Sequence, residues 1–394
     1  MFRLLPILIL LIIIAAMMRD DFALTLVYLF VAAAAIGAWW SRKSLAQIKP
    51  ERKINPHAFW GEKVPVRLQF LNRGWLPVLW LKIQDELPVG LSTNPSYSTV
   101  TALGAGSMAQ FEYSLEARKR GYYPIGPLVI STGDILGLHD QQERQDPARY
   151  LTVYPKIIPL TSVRIPSHSP QGTLRNLQPI FEDPTRILNK REYTAGDSLR
   201  RVDWKSTAAT GQLQVKQFEA SIALETFIFL DLDAEAYPQR GRIDSTELAI
   251  VIAASMASWI IAKHQTVGLK VNGKDRLADT GQPLILPPNK GQPHLMRILE
   301  ILARVEMTEG SPLFTLVQQQ RYHLPWGTTL IIITGQANQI LLNELYQARR
   351  SGQDTLLILA GSASYDRELS RRAARFGIPL VSITSERDLD MWRR

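Results

Sequence analysis

Two charge-free apolar runs open the chain, Leu4 to Met18 and Phe22 to Trp40, separated by Arg19, Asp20 and Asp21. The second, nineteen residues at 1.5 Å per residue, nearly matches a hydrocarbon core of ~30 Å. The first is shorter and needs Phe2 and its flanks to reach across. Neither run has a polar face, so together they predict a two-helix membrane hairpin over residues 1–53. From about Asn55 the pattern changes to short segments of period two. Val64 to Leu71 runs into the turn signal Asn72-Arg73-Gly74, and Trp80 to Gln84 alternates again. In Gln110 to Ala117, Phe111, Tyr113 and Leu115 share one face; Glu112, Ser114 and Glu116 share the other. Pro127 to Ile130 adds a further strand. Strands this short between Gly, Pro and Asn turns predict a β-sandwich-like domain over 54–154. After residue 221 the pattern changes once more. Apolar strands (Thr226–Leu230, Val267–Val271, Thr329–Thr334, Leu356–Ala360, Pro379–Ile383) alternate with helices (Leu248–Ala262, Leu295–Val305, Leu341–Arg350, Arg367–Phe376), with Asp244 and Glu247 as a capping box for the first helix. Continuous apolar strands between helices predict an α/β domain with a mostly parallel sheet over 221–394. The helix Leu248–Ala262 is apolar nearly all round and short for a span, which predicts a buried central helix.

Charge fixes the direction of the anchor. Arg3 precedes the hairpin and Arg42, Lys43, Lys49, Arg52 and Lys53 follow it, while its loop carries one Arg against two Asp. The positive-inside rule places both ends in the cytoplasm of a two-pass inner-membrane protein, with the basic flank drawn to anionic lipid. A cleaved signal peptide is disfavoured, because no small-x-small site follows the first run. The formal charge is +9, of which +4 lies in residues 1–53, so the remainder is only mildly basic and nucleic acid is not an expected partner. The Gly104–Ala109 stretch is followed by a strand rather than a helix and reads as a turn. Arg118-Lys119-Arg120 beside Tyr122 and Tyr123 reads as a solvated hairpin edge.

Residues 155–190 contain six prolines and no clear period, and read as an extended connector. The connector leads into a dense alternation of charges and aromatics, so that 155–220 forms a connector and signature segment. Its members are Arg191, Glu192, Tyr193, Gly196, Asp197, Arg200, Arg201, Asp203, Trp204, Lys205 and Lys216. Gly196-Asp197 reads as a turn, Asp203 as the N-cap of a short helix, and Leu213 to Phe218 as a strand. Opposite charges this close predict an ion-paired clasp joining the two domains; the alternative is a surface that receives a partner or an anion. The run Arg191-Glu192-Tyr193, Gly196-Asp197, Val202-Asp203-Trp204-Lys205 and Leu213 to Glu219 closely resembles the signature of the family catalogued as domain of unknown function 58. Gly121 to Pro127, Asp134 to Leu138 and the membrane hairpin resemble that family as well. The resemblance implies a von Willebrand factor A-like domain after the signature and association with a MoxR-type AAA+ ATPase.

Asp231, Asp233 and Glu235 follow the first strand of the α/β domain, where such sheets bind ligands. Asp231 and Asp233 are the candidate metal residues, with Mg²⁺ the candidate cofactor. The metal pattern of the A-domain is Asp-x-Ser-x-Ser, and here Asp233 and Glu235 replace the serines while the loop after Thr334 carries no Asp, so the site is degenerate. Solvated turn carboxylates are the competing reading. The chain has no Cys, no phosphate-binding Gly-x-x-x-x-Gly-Lys-Ser/Thr loop, no His-Glu-x-x-His and no Gly-x-Ser-x-Gly. No catalytic residue is therefore assigned. The expected function is a membrane-anchored interaction or adaptor protein working with a MoxR-type AAA+ ATPase in assembly or maturation of envelope proteins. The alternative is a hydrolase using the charged signature or the Asp231 region.

Overall fold

Period-two alternation becomes sheet in the first part of the chain and unbroken apolar runs become a buried sheet in the second. The computed structural model describes residues 9, 12–13, 21–134, 140–145, 149–163, 182–195, 197–220, 225–277, 283–361 and 367–393. The chain divides into two compact units, one holding residues 1–157 with 275–279 and 299–305, the other holding the remainder.

The first unit begins with helix α1 (Asp21–Leu45), whose Leu24–Leu45 portion is long and apolar enough to cross a membrane and is largely exposed. The first apolar run, Leu4–Met18, lies almost wholly outside the described residues, and with it the first helix of the expected hairpin. Ten strands follow: β1 (Ile48–Ile54), β2 (His57–Ala58), β3 (Lys63–Asn72), β4 (Val78–Glu86), β5 (Ser96–Leu103), β6 (Met108–Glu116), β7 (Gly121–Ile125), β8 (Leu128–Gly133), β9 (Asp140–Gln145) and β10 (Arg149–Val153). They form three sheets, ordered β1-β3-β6, β2-β10-β7 and β5-β4-β8-β9. On β3 the even positions Val64, Val66, Leu68 and Phe70 turn inward and meet Ile83, Leu115, Ile125 and Ile130 in one core.

One expectation fails here for a clear reason. Arg52 does not belong to a lipid-facing basic flank. The segment 48–54 is strand β1, paired along its length with β3, so the sheet begins before residue 54. Alternation then turns Arg52 into the interior, where it donates to Asp85 at 2.6 Å and to the Ile125 carbonyl at 2.8 Å. The Tyr113 hydroxyl donates to the other Asp85 oxygen at 2.6 Å. A buried charge needs this degree of pairing to be tolerated.

In the second unit, β11 (Glu182–Glu192) pairs antiparallel with β12 (Gln214–Ala220), with the short helix α2 (Trp204–Thr210) between them. The expected connector over 155–190 is therefore too long at its C-terminal end. Pro184 hid the strand, because proline lacks an N–H and argues against sheet; it falls where the register shifts between Glu182 and Ile187, a place that tolerates it. Residues 164–181 of that connector lie outside the described residues.

The rest of the chain contains β13 (Thr226–Leu230), α3 (Arg242–Ala262), β14 (Val267–Val271), β15 (Lys274–Asp275), β16 (Leu284–Asn289), α4 (Gln292–Arg304), β17 (Val305–Glu306), α5 (Leu313–Arg321), β18 (Thr329–Thr334), α6 (Gln339–Arg350), β19 (Asp354–Ala360), α7 (Arg367–Arg375) and β20 (Leu380–Ile383), of which 275 and 299–305 belong to the first unit. Six strands make one mixed sheet in the order β16-β14-β13-β18-β19-β20. All neighbours are parallel except β16, which runs antiparallel to β14. Phe227, Phe229, Leu330 and Ile332 pack with Leu316 and Val317 of α5 and Leu342 and Leu345 of α6. Helix α3 packs against β13, β14, β18 and β19 and is mostly buried, so its apolarity serves a core. It starts one turn before the expected capping box: Gly241, at φ 78°, reverses the chain and the helix begins at Arg242, leaving Asp244 inside the first turn.

Candidate functional sites

Two places in the second unit hold the sequence candidates. In the signature, β11 and β12 place Lys190 opposite Lys216, Arg191 opposite Val215 and Glu192 opposite Gln214. Two lysines face to face repel, and Asp203 resolves this. Its Oδ2 lies 2.8 Å from Lys190 Nζ, which also donates to Ser206 Oγ at 2.6 Å. Asp203 caps α2 as expected, with its Oδ1 accepting from the N–H groups of Lys205 and Ser206. The Lys190 hydrogen bond, then the Ser206 N–H and the nearby charges of Lys190 and Lys216, hold this carboxyl below the usual range. Arg191 grips Asp197 with two bonds, at 2.7 and 2.6 Å, and the Thr194 N–H adds a third at 2.9 Å. The Asp197 carboxyl is held well below its ordinary value, first by Arg191 and then by Thr194, and Arg191 is raised in turn. Asp197 N–H closes the expected turn onto the Thr194 carbonyl at 3.0 Å; Gly196 lies outside the described residues. Val202 bridges to Val215, and both are buried. Outside this clamp, Glu192, Arg200, Arg201 and Lys205 are exposed, Tyr193 and Lys216 are half-buried, and Trp204 is 68% exposed. Both Arg191–Asp197 and Lys190–Asp203 close within the segment. Asp197 and Asp203 are fixed anions in hydrogen-bonded settings, which suits holding a shape better than passing protons near neutral pH.

The second place is the carboxyl end of the mixed sheet, at its topological switch point between β13 and β18. Asp231 leaves β13 and is buried, as is Asp233. The Asn272 side chain, just after β14, donates to Asp231 Oδ1 at 2.7 Å, and Thr334 at the end of β18 donates to Oδ2 at 2.7 Å. The Asp233 N–H adds a contact to Oδ1 at 3.1 Å. Burial pushes the Asp231 carboxyl up to about 6, against the opposing pull of Thr334 and Asn272. Tyr237, fully buried, donates to the Asp231 carbonyl at 2.7 Å. Gly335 makes room for that ring: a Cβ there would meet it at 2.3 Å. In front lies a cavity of about 240 Å³ lined by Asp231, Asp233, Glu235, Phe314, Gln336 and Asn338.

These residues fit Mg²⁺ poorly. Both Asp231 oxygens are engaged by protein donors, Asp233 Oδ1 accepts from the Glu235 N–H at 3.2 Å, and Asn338 caps α6 through the Leu341 N–H. Among the described residues no group of three or more His, Cys, Asp or Glu is placed to hold a metal. Sequence reasoning found Asp231 and Asp233 but missed Asn272, Thr334 and Tyr237. A signal for the first two existed, since each of three adjacent strands ends in, or is followed at once by, a polar residue. Tyr237 gave none. Lys270, buried on β14 with Nζ 4.4 Å from the Phe227 ring and 3.0 Å from Gln320 Oε1, was also missed.

Comparison with known proteins locates the signature in a family. Residues 189–322 match the family described as Protein of unknown function DUF58. The chain is 24% identical over 349 residues to the Uncharacterized protein YeaD of Bacillus subtilis, covering 87% of this chain and 82% of that one. Among solved structures, proximal thread matrix protein 1 from mussel byssus is 12% identical with a TM-score of 0.32, covering 43% of this chain and 46% of its own. A CARDB domain from Pyrococcus furiosus is 12% identical with a TM-score of 0.22, covering 27% of this chain and 91% of its own. Structural likenesses this low carry no argument about fold or function. The clamp built on Arg191, Asp197 and Asp203 lies inside the matched residues, so the DUF58 signature of this chain is carried by residues 189–322.

Proposed function

We propose that this chain is a membrane-anchored interaction protein that works with a MoxR-type AAA+ ATPase in the assembly or maturation of envelope proteins. On this reading the apolar runs Leu4–Met18 and Phe22–Trp40 form a two-pass anchor in the inner membrane, and the bulk of the chain is cytoplasmic. The α/β unit is von Willebrand factor A-like, a reading supported by Asp231 at the carboxyl end of the first strand. The observation that carries the proposal is the signature hairpin: Asp197 and Asp203 are locked onto its own cations, and an exposed Trp204 stands on the resulting rigid frame. Rigid frames with exposed aromatics suit recognition. The apolar Leu24–Leu45 helix supports a site of action at a membrane.

The test is affinity purification of the detergent-solubilised protein from its native membranes, with and without ATP, followed by mass spectrometry. A stoichiometric MoxR-type ATPase is expected. Recovery of other envelope proteins alone, or of nothing, would overturn the reading.

A further inference from the structure

The clamp leaves the signature with an excess of positive charge outside its ion pairs. Between Lys190 and Lys216 there are six cations and three anions, and two of those anions, Asp197 and Asp203, are bound to Arg191 and Lys190. Arg200 and Lys205 are exposed beside Leu199 at 64%, Trp204 at 68% and Leu213 at 41%. The register brings the apolar groups together. Val202 bridges to Val215 and the Asp203 N–H donates to the Gln214 carbonyl at 2.8 Å; Trp204 and Leu213 are the residues next to that bonded pair on its two segments. On the other side of Leu213, its carbonyl accepts from the Tyr193 N–H at 2.8 Å. Helix α2 follows with exposed, short-chained Ala208 and Ala209. Trp, Leu and Arg on a pre-ordered frame form the composition of an interface anchor.

We infer that this tip is the docking surface of the chain, and that it receives an acidic segment of a protein partner carrying an apolar side chain. Trp204 and Leu213 form the anchor, and Arg200 and Lys205 steer and orient the approach. Charge complementarity selects the acidic partner. This inference rests on the adaptor reading and names the surface it uses.

The experiment takes the full chain in phosphatidylglycerol-containing nanodiscs and titrates the purified MoxR-type ATPase of the same organism in the presence of ATP. Trp204→Ala and the pair Arg200→Glu with Lys205→Glu are compared with wild type and with Lys63→Glu, an exposed site in the first unit. Each tip variant is expected to weaken binding about 10-fold or more. The charge reversal should also flatten the salt dependence, with melting temperatures and the Lys63→Glu control unchanged. If wild type binds and both tip variants bind equally well, the docking surface lies elsewhere and the adaptor reading survives. If wild type does not bind, the adaptor reading falls and takes this inference with it. The chain has no Cys, so Ala208→Cys gives a unique labelling position on the tip. A fluorophore there that is quenched by brominated lipid and insensitive to the ATPase would place the tip on the bilayer and overturn the inference.

Discussion

Asp231→Asn isolates the cost of holding a carboxylate inside the mixed sheet. An asparagine fits the same bonds: its Oδ1 keeps the Asn272 and Asp233 donors, and its Nδ2 donates to Thr334 Oγ1. The Thr334 proton then turns to the Gln336 carbonyl, already 3.0 Å away. Each of the three present partners keeps a hydrogen bond, so the change in charge dominates the outcome. Burial raises the Asp231 carboxyl from 3.8 to about 6, so the folded state binds that proton more tightly than the unfolded state does. The sign follows: stability falls as pH rises from about 4 to about 6, and the loss is complete above that. At 1.36 kcal/mol per pH unit the loss is about 3 kcal/mol. Asp231→Asn removes it, so the variant should be more stable by about 3 kcal/mol at pH 7.5 and by about 1 kcal/mol at pH 4.5. For a unit of this size the neutral-pH gain corresponds to roughly 6–12 °C in melting temperature. Calorimetry on the solubilised chain at both pH values, with amide exchange of β13 and β18 to assign the transition, reads it directly. A variant less stable than wild type at pH 7.5, or a gain that does not shrink on acidification, would refute the burial argument.

Three further outcomes follow from the same unit. Burial lowers Lys270 to about 8, so its charged form is penalised below that pH and the penalty fades towards 10.5; wild type should gain stability across this window. Lys270→Met should therefore gain on wild type at pH 7 and lose that gain as the pH rises to 10.5, measured by urea unfolding. Gly335→Ala puts a Cβ 2.3 Å from the Tyr237 ring and 2.6 Å from the Ala236 carbonyl, and should cost about 1–3 kcal/mol in the same assay. Asp203→Ala removes the cap of α2 and the partner of Lys190, and should cost about 1 kcal/mol with faster amide exchange in α2, while Asp203→Asn keeps the cap and loses less.

How much of this was legible in the sequence depends on the range of the interaction. The five parallel strands of the mixed sheet showed as apolar runs because both faces are covered, and β6 showed by alternation because one face is not. Asp203 as an N-cap was readable because capping is local, within three residues. Arg52 was misread because its charge pointed to a membrane flank while the pairing of β1 with β3, which sends it inward, is a long-range fact. Its partner Asp85 lies 33 residues on. The Asp231 bonds span 41 residues to Asn272 and 103 to Thr334, and strand order alone brings them together. Pro184 shows the reverse failure, where a sound local rule hid a strand that a register shift allows.

The places where local consistency breaks are the places most readily connected to function. A sequence selected for stability alone has an easy replacement at position 231, since asparagine fits its donors and carries no charge into the core. It also has an easy replacement at position 204, since most polar residues would suit a site 68% exposed better than tryptophan does. The two anomalies differ in kind. At Asp231 a charge is held inside at a cost the geometry does not require, facing a cavity at the switch point of the sheet. At Trp204 a large apolar ring is held outside, on a frame fastened by two ion pairs, one of them through a residue that also caps the helix below it. If both positions served stability, Asp231→Asn and Trp204→Ala would each lower the melting temperature. The structure argues that neither does. An exposed aromatic, testable by binding, and a buried polar site, testable by pH-dependent stability, thus stand within one unit of the chain.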